Sequence, residues 1–231
     1  LCSKELIGME ALLRWEHPTE GFISPDEFIP IAEKTGQIYR LERWIIRKVL
    51  EQRRLWEQQG FSNINLSINL STKTLTSAVN FSEWEQILSD YKVDFSKIII
   101  EITETADIMD MENVIERLNI LKKRGIKIAL DDFGTGYSSL NYLKQFPIDI
   151  IKLDRSFINA ITEEGVDTLL IKNILKLASD LKYEVVAEGI ETEEQMQFLI
   201  DYNCDNGQGF LLSKPLSLEN MKQLLINRNS K

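Results

Sequence analysis

The sequence predicts an α/β fold built on a parallel sheet, and three observations carry that prediction. Short apolar runs alternate with longer amphipathic stretches along the chain. Its 231 residues match the roughly 200–250 that a closed strand–helix barrel fills as one domain. No linker, low-complexity tract or fixed-period repeat interrupts the stretch from Gly8 to Leu225. Each strand candidate is followed by a helix, an order that requires parallel strands joined by right-handed crossovers. A closed (β/α)8 barrel and a doubly wound open sheet both satisfy these observations.

The strand candidates are 7–14, 64–70, 98–103, 126–131, 149–153, 184–188 and 207–211. In 64–70 the alternation is strict: Ile64, Leu66, Ile68 and Leu70 face one way, Asn65, Ser67, Asn69 and Ser71 the other. Between the strands, Leu41, Ile45, Val49 and Trp56 form one helical stripe, and Val114, Leu118 and Leu121 a second. A third comprises Val166, Leu170, Ile174, Leu177 and Leu181. Ser82, Thr192 and Ser217 occupy expected N-cap positions, and Gln195 completes a capping box with Thr192. Trp44, Trp56 and Trp84 read as core or interface anchors, and His17 as a loop residue. Seven strands where a barrel needs eight, on a chain that opens in a strand-like segment, predict a single domain over 1–231 whose numbering begins after one strand has gone by.

Composition narrows the function. A hydrophobic share of 43% against 27% charged residues is that of a globular domain, and no apolar run approaches the roughly 20 residues of a membrane helix. A formal charge of −9 argues against a partner gripped through many phosphates, so neither a DNA nor an RNA polymer is expected. A small phosphate ligand held through metal ions remains compatible, because surplus carboxylates then serve as ligands. Cys2 and Cys204 make neither a disulfide framework nor a zinc spacing, which fits a reduced, cytoplasmic setting.

The polar residues gather late in the strands or just beyond them. Glu10 and Arg14 lie on the first strand, Asn69 ends the second, and Glu101 and Glu104 end IIIEITE. Asp131 and Asp132 end IKIALDD, Lys152 and Asp154 end IIKLD, Glu188 and Glu191 end EVVAEGIE, and Gln208 lies in GQGF. In barrel enzymes that end of the strands carries the chemistry. Any one of these carboxylates alone reads as a helix cap or a solvated charge. Together they require cations, since buried like charges repel. Glu10, Asn69, Glu101, Asp131 and Asp132 are hard oxygen donors suited to magnesium or manganese. The pair Asp131–Asp132 suits bridging of two ions for in-line attack on a phosphate ester.

The segment Glu10-Ala11-Leu12-Leu13-Arg14-Trp15 resembles the signature of the EAL family of bacterial cyclic di-GMP phosphodiesterases. Supporting motifs follow in order: Ile23-Ser24-Pro25 with Phe28-Ile29-Pro30, Asn69-Leu70-Ser71 and Glu101-Ile102-Thr103-Glu104. Then come Asp131-Asp132-Phe133-Gly134-Thr135-Gly136-Tyr137-Ser138-Ser139-Leu140, Lys152-Leu153-Asp154, Ala187-Glu188-Gly189-Ile190-Glu191, and Gln208-Gly209-Phe210 before Ser213-Lys214-Pro215. The resemblance implies a TIM-type (β/α)8 barrel with an antiparallel first strand, which the 1–231 numbering is expected to lack, cut from a longer signalling protein with an upstream sensor or GGDEF-type domain.

It implies a reaction as well: hydrolysis of cyclic di-GMP to linear 5′-pGpG with two magnesium or manganese ions, and calcium as an inhibitor. Glu10, Asn69, Glu101 and Asp131 resemble the ligands of one metal, with Asp131 and Asp132 helping to hold the second. Lys152 resembles the residue that orients the attacking water, and Glu188 a metal-site carboxylate or general base. Arg14, Asp154, Glu191 and Gln208 stand as substrate contacts. Glu104 resembles the glutamate that braces the Asp132–Ser139 loop, which the family also uses at a homodimer interface. Two alternatives are a catalytically silent cyclic di-GMP receptor or scaffold, and an unrelated magnesium-dependent lyase. The intact motif series favours the phosphodiesterase.

Overall fold

The structure, a computed structural model, describes residues 1–103, 110–134, 143, 145–161 and 166–229. Its elements run in chain order as β1 (Gly8–Glu10), β2 (Trp15–His17), β3 (Gly21–Ile23), α1 (Pro25–Thr35), α2 (Ile38–Gln58), β4 (Asn65–Asn69), α3 (Thr72–Thr76) and α4 (Ala78–Asp90). They continue as β5 (Ile98–Thr103), α5 (Met111–Lys123), β6 (Lys127–Phe133), β7 (Ile150–Leu153), α6 (Arg155–Asn159), α7 (Val166–Leu181), β8 (Glu184–Ala187), α8 (Glu193–Asp201), β9 (Asn206–Gly207) and α9 (Leu218–Asn229). Seven strands form one sheet in the order β1-β4-β5-β6-β7-β8-β9. Parallel pairing joins β1 to β4, β4 to β5, β7 to β8 and β8 to β9. A doubly wound sheet reverses its strand order at a switch point. Here the order is sequential from first to last, the topology of the α/β barrel class.

The chain divides into two compact units, and β6 carries the division. The first unit holds Leu6–Ala129 and Ser139–Ile148. In β4 the alternation appears as expected, with Leu66 and Ile68 buried and Asn69 exposed. On α2 the buried face is Ile38, Glu42, Ile46, Val49, Leu50, Arg53 and Trp56; Leu41 and Ile45 from the expected stripe are only half-buried. Two polar residues displace that stripe because each has partners in the interior. The Arg53 guanidinium donates from Nη1 to the Ile64 carbonyl at 2.8 Å and from Nη2 to the Ser62 carbonyl at 2.7 Å. Helix α4 is capped by Ser77, not Ser82, which lies one turn inside it. Val114, Leu118 and Leu121 are fully buried as expected. Trp56 and Trp84 are core residues, whereas Trp44 is 53% exposed.

Two departures concern the segment after β1. Arg14 lies between β1 and β2 rather than on a strand, and its side chain is exposed. The antiparallel hairpin β2–β3, which pairs Trp15 with Ile23 and His17 with Gly21, was not expected. Its three-residue strands are too short to show an alternation of period two. His17 belongs to this hairpin, and its Nδ1 accepts from the Thr19 and Glu20 N–H groups across the turn.

The second unit holds Leu1–Glu5, Leu130–Ser138 and Asp149–Lys231. All four residues of β7 are buried. In α7 the buried face is Thr168, Ile171, Leu175 and Ala178, one position away from the expected stripe, so Leu170 and Leu181 are exposed. The sequence offers two overlapping apolar stripes there. The buried one ends at Ala178, whose carbonyl accepts the Tyr183 N–H at 2.9 Å as the chain turns toward β8. Helix α8 has the expected capping box between Thr192 and Gln195, and the Ser217 hydroxyl accepts the Asn220 N–H at 3.3 Å. The last strand is two residues long because the chain turns at once. The Gly209 carbonyl accepts from both Leu212 and Ser213, and Phe210 is 59% exposed.

Candidate active site and metal centre

The second unit gathers four charged side chains at the ends of three strands. Asp131 and Asp132 lie late in β6, Lys152 on β7, and Glu188 directly after β8. Parallel register sets Leu153 beside Ala187, and the Glu188 N–H donates to the Leu153 carbonyl at 3.0 Å, so pairing continues one residue past β8 and fixes Glu188. One carboxylate oxygen from each of Asp131, Asp132 and Glu188 lies within 4.8 Å of the others. Lys152 is almost fully buried, its Nζ 3.1 Å from Asp131 Oδ1 and 2.7 Å from Glu188 Oε1. Asp132 adopts a left-handed backbone, φ 53°, and its N–H donates to Asp131 Oδ1 at 3.0 Å. Three clustered carboxylates with the Lys152 ammonium against two of them gather oxygen donors of the kind a divalent cation binds. The donor set, hard oxygens only, fits magnesium or manganese.

The loop after Glu188 is held from both sides. The Gln208 N–H donates to the Ala187 carbonyl at 2.8 Å, and the Ile190 N–H donates to the Gln208 carbonyl at 3.1 Å. Gln208 and Glu191 are both exposed at this end of the sheet. The Glu191 N–H donates to Gln195 Oε1 at 2.8 Å. Asp154 caps α6, accepting the Ser156 N–H at 2.9 Å. Burial pushes its carboxyl pKa up, but bonds from the Ser156 hydroxyl and the Ser156 and Arg155 N–H groups, with the Arg155 charge, outweigh it and hold the pKa below the usual carboxylate range.

In the first unit, register sets Asn69 beside Glu101 on β4 and β5, and Glu101 is buried at 2% exposure. Asn69 Nδ2 donates to Glu10 Oε1 at 2.8 Å, joining the ends of β1 and β4. Glu10, Asn69 and Glu101 thus form a second row of oxygen donors at strand ends. Arg14 donates to the neighbouring Leu13 carbonyl at 2.8 Å. Glu104 and the loop residues 135–139 lie outside the described residues. Cys204 offers no nucleophile, since burial pushes its thiol up to about 12.

An EAL domain model matches residues 1–215. This chain belongs to the EAL domain family. Within it, the chain is 40% identical over 216 residues to the bifunctional diguanylate cyclase/cyclic di-GMP phosphodiesterase MucR of Pseudomonas aeruginosa, covering 94% of this chain and 32% of that protein. It is 37% identical over 212 residues to the cyclic di-GMP phosphodiesterase PdeR of Escherichia coli, covering 92% and 32%. The chain therefore spans about a third of the length of these curated relatives. Among solved structures, a MucR phosphodiesterase in complex with c-di-GMP superposes with a TM-score of 0.87 at 40% identity, covering 93% of this chain and 87% of that one.

Of the residues singled out from sequence, Glu10, Asn69, Glu101, Asp131, Asp132, Lys152 and Glu188 fall late in strands or just past them and Asp154 at a helix cap, whereas Arg14, Glu191 and Gln208 lie in connecting segments. Two residues beside them carried no such expectation. Gln195, read only as a cap, also donates from Nε2 to the Ile158 carbonyl at 3.2 Å. Phe157 packs against the turn that follows Asp132.

Proposed function

We propose that this EAL domain, taken as one domain over 1–231, hydrolyses cyclic di-GMP to linear 5′-pGpG. The observation that carries the reading is the cluster Asp131, Asp132 and Glu188 around the buried Lys152. Glu10, Asn69, Glu101, Asp131, Asp132 and Glu188 are the proposed metal donors, Glu104 the brace of the Asp132 loop, and Arg14, Asp154, Glu191 and Gln208 the substrate contacts. When bound, two magnesium or manganese ions neutralise the phosphate and activate the attacking water. Lys152 orients that water by donating to it, and its charge favours the deprotonated form. Glu188 accepts the water proton. The water oxygen bonds to phosphorus, the bond from phosphorus to the 3′ oxygen breaks, and that oxygen takes up a proton. Arg14 pairs with the phosphate left on the 5′ side.

The same reading makes the chain the cytoplasmic phosphodiesterase part of a longer protein, acting as a homodimer with an upstream sensor or GGDEF-type domain. Incubating the full-length protein with cyclic di-GMP tests the chemistry. Magnesium or manganese should yield 5′-pGpG, while calcium, with its longer and looser coordination, should bind and inhibit. Cleavage that survives exhaustive chelation would exclude the two-metal reading. Tight binding without cleavage in magnesium would assign the chain to the receptor class.

A further inference from the structure

Helix α6 follows directly on Lys152-Leu153-Asp154 and touches both turns that leave the acidic cluster. Gly134, two residues after Asp132, sits at φ 96°, and a methyl group there would overlap the Phe157 ring. Gly189, next to Glu188, sits at φ 72°, and a methyl group there would overlap the Arg155 side chain. A third tie comes from Gln195, whose Nε2 donates to the Ile158 carbonyl at 3.2 Å. Its Oε1 accepts the Glu191 and Thr192 N–H groups at 2.8 and 3.1 Å. Asp132 itself is left-handed, a conformation that costs a non-glycine residue about 1–2 kcal/mol. Such a backbone persists only where the surroundings fix it.

We infer that Phe157, seconded by Arg155, is a positioning residue that sets the separation of the Asp131–Asp132 pair from Glu188. The inference rests on the reading of these carboxylates as a cation site, and Phe157 touches neither cation nor substrate. Its ring fills the space beneath the Gly134 turn, so the backbone at Asp132 has one height rather than several. Arg155, two positions earlier at the first residue of the same five-residue helix, does the same for Glu188. Because α6 starts three residues after Lys152, one piece of chain carries the references for both acidic turns and for the lysine between them. A hydrophobic residue that merely filled space would affect stability alone. A positioning residue must also affect the cation, because outer groups that orient ligands change metal affinity by about 10–100-fold.

The test uses the full-length protein and four variants: Phe157→Ala, Phe157→Leu, Gly134→Ala, and Gly134→Ala combined with Phe157→Ala. Manganese binding without substrate is measured by calorimetry, steady-state turnover by product analysis, and folding by thermal melts. Phe157→Ala should weaken manganese binding by about tenfold or more. It should lower kcat by about 10²-fold, with KM for cyclic di-GMP within about threefold. Phe157→Leu, which keeps most of the volume, should fall between Ala and wild type and guards against a variant that does not fold. The double variant should bind manganese better than the product of the single losses predicts, because the added methyl enters the space the ring vacated. A Phe157→Ala protein that melts earlier yet binds manganese and turns over like wild type would overturn the positioning role alone. If wild type binds no manganese and cleaves nothing, the phosphodiesterase reading falls, and this inference with it.

Discussion

Lys152 Nζ lies 2.7 Å from Glu188 Oε1, and the same ammonium stands 3.1 Å from Asp131 Oδ1 with only 4% of its side chain exposed. Lys152 thus occupies the place of a counterion among three clustered carboxylates. On the proposed metal reading it stabilises the cation-free state and competes with the metal for the same oxygens.

From this follows a prediction of opposite signs for Lys152→Met. Removing one member of a buried pair costs about 3–5 kcal/mol, which lowers the melting temperature of a domain this size by roughly 6–20 °C without metal. Added manganese should then raise the melting temperature more than it does in wild type, because the competing charge is gone. Turnover should still fall by about 10²-fold or more, since the water loses its orienting donor. Melts with and without manganese check both signs. A variant that melts like wild type in chelator would show that the pair is not a structural counterion.

Arg53 gives a prediction for the scaffold. It is fully buried, spans the Ser62 and Ile64 carbonyls, and pairs with Glu57 at 2.8 Å. Arg53→Met should cost about 3 kcal/mol or more, because buried carbonyls lose their donors. Arg53→Lys should recover less than half of that, since a single ammonium cannot reproduce the planar fork. Denaturant titration with an unchanged m-value measures both. Full recovery by lysine would remove the geometric argument.

Much of this architecture was legible in the residues because it rests on periodicity. The strict alternation of 64–70 became β4, and Val114, Leu118 and Leu121 became the buried face of α5. Carboxylates late in successive strands led to Asp131, Asp132 and Glu188 around Lys152. Periodicity failed where partners, not polarity, decide burial. Arg53 and Glu42 point inward because carbonyls and N–H groups await them, and no hydropathy pattern contains that information. It failed again in α7, where two apolar stripes overlap and the turn at Ala178 selects one. The contact of Phe157 with Gly134 was illegible for a different reason, because the two lie on separate elements and neither residue type is unusual alone.

Glu42 makes stability depend on pH. Its Oε1 accepts the Ser71 N–H at 2.5 Å, its Oε2 accepts the Thr74 hydroxyl, and burial raises its pKa from 4.5 to about 7 against the effect of those bonds. A carboxyl held above its unfolded value favours the protonated native state. Its contribution is therefore complete below pH about 4.5 and is lost as pH rises through about 7. Glu42→Gln keeps an acceptor for Ser71 without the charge. The variant should melt close to wild type at pH 5 and above it at pH 8, and the gap should open between those values. Melting curves that run parallel across this range would show that Glu42 does not titrate there.

Asp154 separates a cap from a substrate contact. Its carboxylate accepts the Ser156 N–H at the start of α6, and hydrogen bonds hold its pKa below the usual range despite burial. A depressed carboxylate contributes stability above its unfolded value of 3.8 and loses it as pH falls through the lower folded value. Near neutrality the cap is intact, and Asp154→Ala should cost about 1 kcal/mol, some 2–4 °C in melting. Because α6 packs on the Gly134 and Gly189 turns, frayed caps should also lower turnover, by about threefold to tenfold on the scale at which misplacement of about 1 Å costs 10²-fold. Asp154→Ser retains an oxygen acceptor at the cap without the negative charge. It should restore the melting temperature to within about 1 °C and, if Asp154 serves chiefly as the cap, turnover as well. Parallel melts and product assays on the two variants check this. Melting restored by serine while turnover stays about 10²-fold down would show instead that the carboxylate itself meets the substrate.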